Sequence, residues 1–216
     1  MVVVQRHPTA IRTRTGWTMT QMQTIIPQDW TEVISPPREL SEAVSRLVPP
    51  GDGPIPTDQL ARFSAEVAAR DELWRPLVVA DPNRRRYRLL YEDDRVDIWL
   101  IMWMPGQGTG YHDHAISGVG LVGVEGVVIE KQMTLPSGCA EVEVRPGLSR
   151  EGPAGYIHSV THHEGTPAIT IHAYSPPLME VGGYRVDENG ILRRETEHGR
   201  RELIDNTIAK IAPDIV

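Results

Sequence analysis

The chain has 216 residues, 40% hydrophobic and 24% charged, the proportions of a folded globular protein with enough apolar surface for a core. With 29 acidic and 22 basic residues its formal charge is −7, which argues against a nucleic-acid surface, since phosphate binding needs concentrated Lys and Arg. One cysteine, Cys139, rules out an intrachain disulfide, and no run approaches the roughly 20 apolar residues of a membrane helix.

In chain order, residues 1–38 read as an extension, partly irregular, rich in Thr and Arg near its start and without an apolar signal-peptide core. The expectation is a cytoplasmic protein with neither nucleic-acid nor membrane partners. Residues 39–80 form a helical segment: from Leu40 to Val78 apolar residues recur at three- and four-residue spacing, with Ser41 and Thr57 as predicted N-caps. The intervening PPGDGPIP is a loop.

Residues 81–195 change period. Runs such as RVDIWLIMWM, VGLVGVEGVVIEKQMTL and AITIHAYSP are β-branched or aromatic and are divided by turns such as DPN, PSG and ENG. Short strands at this spacing predict an all-β sandwich or barrel, with the helices packed outside it. Residues 196–216, containing RRELIDNTIAKIA, form a C-terminal tail or helix, and the whole is one globular domain.

Two segments carry chemistry. PGQGTGYHDHAISG holds His112 and His114, and GPAGYIHSV holds His158. Residues two apart on a strand face the same way, so both imidazoles of HDH lie on one side and Asp113 on the other. A third histidine on a neighbouring strand gives three nitrogen ligands with coordination positions left open, the plan of a catalytic metal site.

These segments resemble the cupin family. Gly106, His112, His114 and Gly126 match its first motif, with Val119 at the position of its acidic ligand; Gly147, Pro153, Gly155 and His158 match its second. The fold so implied is mainly β, a cupin double-stranded β-helix (jelly-roll) barrel. Three histidines without a carboxylate, together with TIHAYSPPL at Thr170 to Leu178, are similar to the cysteine dioxygenase type I branch.

That resemblance runs from about Arg88 to Tyr184. It implies one Fe(II) per chain on His112, His114 and His158, and a relay of Thr170, His172 and Tyr174 at strand period two. Arg88 resembles the arginine that holds the substrate carboxylate. In mammalian members a cysteine crosslinked to the active-site tyrosine stands where this chain has Val119, so Tyr174 is expected to be an unmodified phenol.

The expected partners are a small thiol and O₂. Iron held by neutral imidazoles keeps its full +2 charge and favours an incoming thiolate, and the expected reaction converts cysteine, or an analogue such as 3-mercaptopropionate, to its sulfinate. Two alternatives use the same histidines: a metal cupin acting on a substrate without sulfur, and a non-catalytic small-molecule-binding cupin. The oligomeric state stays open.

Other signals have plain readings. GVGLVG, from Gly118 to Gly123, spells a dinucleotide fingerprint, but β-rich sequence follows where a helix is needed. Trp99 and Trp103 share one strand face as core or pocket wall, His162 and His163 read as turn residues, and Cys139 as a bystander.

Overall fold

The computed structural model describes residues 9–13, 16–22, 35–134 and 138–198. Within the N-terminal extension, β1 (Thr9–Thr13) and β2 (Gly16–Met22) pair antiparallel in a two-stranded sheet of their own. The expected C-terminal helix lies outside the described residues.

Three helices follow: α1 (Arg38–Ser45), α2 (Thr57–Ala68) and the single turn α3 (Asp71–Trp74), which runs into a 3₁₀ turn, Arg75–Leu77. Neither Ser41 nor Thr57 is an N-cap. α1 starts after Pro37 and α2 after Pro56, each proline being extended (ψ 140° and 147°) with no side-chain cap. The proline carbonyls accept the first helical bonds, from Ser41 N (3.0 Å) and Leu60 N (2.9 Å), so each hydroxyl residue falls inside its helix.

The barrel strands are β3 (Arg86–Glu92), β4 (Asp97–Trp103), β5 (Gln107–Gly108), β6 (His112–Asp113), β7 (Gly118–Glu125), β8 (Val128–Thr134), β9 (Gly138–Val144), β10 (Ser149–Gly152), β11 (His158–His162), β12 (Ala168–Ser175), β13 (Glu180–Val186) and β14 (Leu192–His198). They build two antiparallel sheets, β10-β7-β12-β4-β3 and β14-β13-β6-β11-β8-β9, with β5 also paired to β11. This is the expected cupin jelly-roll, and β14 carries it past Glu195.

The five-stranded sheet is buried on both faces, which explains why its strands read as nearly continuous apolar runs. One face meets the other sheet: Tyr87, Leu89, Trp99, Ile101, Trp103, Val119, Leu121 and Tyr174 pack with Val128, Val160 and Val181. The opposite face carries Leu90, Ile98, Leu100, Met102, Val122, Ile169, Ile171 and Ala173, covered by Val44, Leu60, Phe63, Val67 and Trp74 of the helical segment.

The glycines of GVGLVG permit two close approaches. A Cβ on Gly120 would lie 2.2 Å from Ala61 N of α2, and one on Gly123 would lie 2.4 Å from the Arg145 carbonyl oxygen. At the first contact Ser64 Oγ also donates to Gly120 O at 2.8 Å, fixing α2 against β7. The motif is therefore a packing device.

Gly120→Ala is expected to lower unfolding free energy by ~3 kcal/mol, because helix backbone must retreat from the new methyl. Gly183→Ala, whose Cβ would meet nothing closer than 3.9 Å, serves as the control. Urea titration of both variants checks this, and equal midpoints would contradict the tight α2–β7 contact.

Candidate metal centre

His112 and His158 are directly opposed partners on β6 and β11, and His114 follows immediately after β6. The three ring centroids lie 4.6–5.1 Å apart. One nitrogen from each ring lies within 4.8 Å of the others, the only cluster of its kind among the described residues.

Backbone bonds hold the two loops together. Asp113 Oδ1 accepts Ala115 N at 2.8 Å, Ala115 takes a positive φ of 51°, and its carbonyl accepts Gly155 N of the second histidine loop at 3.1 Å. Asp113 points away from the cluster, as its parity requires. It accepts two bonds from Arg194 (2.7 and 2.8 Å) and one from Tyr184 (2.7 Å). Burial alone would raise the Asp113 pKa, but these donors outweigh it and hold it at about 2. Gly182 makes room for this tether, since a Cβ there would strike the Arg194 guanidinium.

Hydrogen-bond partners fix the ring tautomers. His112 Nδ1 faces the Gly110 carbonyl at 3.1 Å and His158 Nδ1 faces Glu130 Oε1 at 2.8 Å; both partners accept, so both Nδ1 atoms carry hydrogen and Nε2 is the nitrogen left for a metal. Burial, then the neighbouring His158, drives the His112 pKa down to about 3, and burial with the neighbouring histidines holds His114 well below its ordinary value. Neutral imidazole is the metal-binding form.

His158 Nε2 and His114 Nδ1 are buried without a hydrogen-bond partner among the described residues. Buried, orphaned nitrogens are costly alone and are satisfied by a cation. The donor set therefore fits a transition metal of the iron or zinc type.

The pocket beside these rings is lined by Arg85, Tyr87, Ile101, Trp103, Thr109, Val160, His172, Tyr174, Leu178 and Val181. Alternation along β12 turns Ile169, Ile171 and Ala173 toward the helices and Thr170, His172 and Tyr174 into the barrel. Trp103 Nε1 donates to Thr170 Oγ1 (2.9 Å), which is 2.9 Å from His172 Nε2, and His172 Nδ1 is 3.2 Å from the Tyr174 hydroxyl. The Tyr174 ring stands 4.8 Å from that of His114. Val119 is the cross-strand partner of Tyr174, so an aliphatic side chain occupies the position from which a cysteine would reach it.

The arginine expected at the substrate is not the one at the pocket. Arg88 lies on the outward face of β3 with Arg86; it donates to the Tyr87 carbonyl at 3.2 Å, and desolvation followed by repulsion from Arg86 lowers its pKa. Arg85 has the inward parity of Tyr87 and Leu89. It is buried, donates to the Tyr87 hydroxyl and the Gly108 carbonyl, and lies 5.0 and 5.1 Å from the Tyr87 and Trp103 ring centroids. It makes no ion pair among the described residues.

Reading the sequence also passed over Glu130, buried on β8 behind His158, and the hydrogen-bonding role of Trp103. An acidic residue at the inward parity of the apolar run VVIEK was the available signal. His162 and His163 stay outside the cluster: His162 Nδ1 donates to Val127 O at 2.8 Å, and His163 Nε2 lies 3.1 Å from Thr161 Oγ1. Exposed Cys139 meets the Tyr111 hydroxyl at 3.0 Å. No helix among the described residues is long and apolar enough to cross a membrane.

Comparison with known proteins gives a family match: cysteine dioxygenase type I, over residues 54–187. No match was found among curated proteins. Among solved structures, the protein TT1209 from Thermus thermophilus is similar at 23% identity and TM-score 0.43, covering 48% of this chain and 93% of that one. An RmlC-like cupin protein from Desulfovibrio desulfuricans is similar at 22% identity and TM-score 0.40, covering 46% and 90%.

Metal-free protein should be acid-labile. His112 and His172, both pushed by burial to about 3, stay neutral when folded but take up protons near pH 6.5 when unfolded. Their stabilising contribution is complete above pH 6.5 and is lost as pH falls toward 3. Thermal midpoints of chelator-treated protein should drop steadily from pH 7 to pH 5, a window above the depressed carboxylates; a constant midpoint there would contradict the neutral, buried assignment.

Proposed function

The chain belongs to the cysteine dioxygenase type I family, and from that membership we propose a non-haem iron(II) thiol dioxygenase. Its substrate is a small carboxylated thiol, cysteine or a close analogue such as 3-mercaptopropionate, and its product the sulfinate. The observation that carries this reading is the convergence of three buried imidazoles on one pocket with the buried guanidinium of Arg85, which makes no ion pair among the described residues.

His112, His114 and His158 would hold one iron per chain. When bound there, iron(II) supplies open positions for a thiolate and O₂, so that both oxygen atoms pass to sulfur: RS⁻ + O₂ gives RSO₂⁻.

The chain's own residues bind and orient. A buried guanidinium without a counter-ion is completed by a carboxylate, which its planar fork pairs with bidentately. Arg85 therefore takes the role that Arg88 was expected to fill, with the Tyr87 and Trp103 rings lying against its guanidinium. Ile101, Val160, Leu178 and Val181 line the remaining wall and exclude water.

Trp103 N–H donates to Thr170, which lies within hydrogen-bonding distance of His172 Nε2; with Thr170 donating there, His172 carries its hydrogen on Nδ1 and donates it to the Tyr174 oxygen. In that order the relay orients the Tyr174 hydroxyl beside the candidate metal ligands, where its ring stands 4.8 Å from that of His114.

Oxygen uptake by iron-loaded protein with a panel of small thiols tests the reading, and absence of thiol-dependent uptake would discard it. Tyr174→Phe should retain iron and lower kcat at least about tenfold, while His158→Ala should lose iron. Arg85→Met should raise KM for 3-mercaptopropionate on the order of 30-fold and leave KM for uncharged 2-mercaptoethanol nearly unchanged. Equal effects on both thiols would remove Arg85 from carboxylate binding.

A further inference from the structure

The three histidines are not held alike. Behind His112 Nδ1 stands a neutral carbonyl at 3.1 Å. Behind His158 Nδ1 stands the carboxylate of Glu130 at 2.8 Å, with Glu130 only 2% exposed.

Glu130 is itself fixed from two sides. Its Oε1 also accepts the Tyr156 hydroxyl at 3.3 Å, and its Oε2 accepts Arg150 Nε at 2.8 Å. Arg150 reaches it from β10, in the other sheet, and is 29% exposed along its side chain. A carboxylate buried this deeply is costly unless it is paired, and here the pairs are one cation and one candidate ligand.

We propose that Glu130 is a positioning residue that makes His158 the strongest donor of the three, with Arg150 moderating it. A carboxylate drawing on Nδ1–H fixes the ring orientation and enriches Nε2 in electron density. The negative charge missing from the ligand set at Val119 thus acts from one bond further out, through a single imidazole. Arg150 withdraws part of that charge, so the two residues push the metal in opposite directions. This rests on the reading that the histidines hold a metal and is independent of which thiol is oxidised.

Glu130→Gln keeps shape and hydrogen-bonding capacity while removing the charge; Arg150→Gln removes the opposing charge and leaves Glu130 in place. The expected results are a 10- to 100-fold weaker Fe(II) affinity by chelator competition for Glu130→Gln, and a ferric/ferrous reduction potential that moves upward in it and downward in Arg150→Gln. A purely structural carboxylate would leave affinity and potential unchanged or move both variants the same way, and either result overturns the proposal. If Glu130→Gln fails to fold, Arg150→Gln decides alone: a potential at or above that of the wild type refutes it. Neither readout needs turnover, so the opposed shifts support Glu130 even in protein that consumes no oxygen with thiols.

Discussion

Three imidazoles buried against one another repel as soon as more than one is charged, and the rest of the structure answers to that constraint. All three rings are buried, so protonated neighbours would face one another in a low dielectric with little solvent to screen them. Neutral rings bring a second difficulty, since each bare nitrogen has lost its hydrogen bond to water. The loops that carry the rings are accordingly tied before any ligand arrives, by the opposed pairing of His112 with His158 and by the Gly155–Ala115 bond. The fold bears the ordering cost, so the three rings are already gathered into a group that could hold a cation.

The helical segment belongs to the same argument. Without it, the outer face of the five-stranded sheet would expose Leu90, Ile98, Leu100, Met102, Ile169 and Ile171 to water. Covering that face lets every residue of β4 and β12 be buried, so that alternate positions of one strand serve two purposes. On β12 the aliphatic residues anchor the sheet to the helices, and the intervening Thr170, His172 and Tyr174 are held in register to within hydrogen-bonding distance. Relay geometry is thus a by-product of a rigid, doubly covered strand.

Charge around the pocket is arranged in three places. Arg85 brings a cation to its edge, Glu130 an anion behind one ring, and Asp113 an anion on the outer side of the HDH loop, where Arg194 and Tyr184 hold it. Neither of these two carboxylates reaches the centre of the cluster directly. The inner side of the cluster therefore carries no carboxylate, while one ring, His158, is oriented from behind by an ionic group and another, His112, by a carbonyl.

Much of this was legible in the chain. The period of two after residue 88, the turn residues and the helical spacing from Leu40 fixed the architecture, because backbone alternation and amphipathic burial are local properties. HDH and TIHAY were readable for the same reason: period two states which side chains share a face. What the sequence by itself could not determine was everything that depends on parity or on distance. Arg85, just before β3, and Arg88 within it differ by three positions and so point to opposite sides of the sheet, a choice settled by which residue enters the strand facing inward. Likewise Glu130 meets His158, and Trp103 meets Thr170, only because the strands pair in one register. Local chemistry named the candidate metal ligands, and only tertiary packing, which turns a strand's phase into contacts between distant residues, decided what stands behind them.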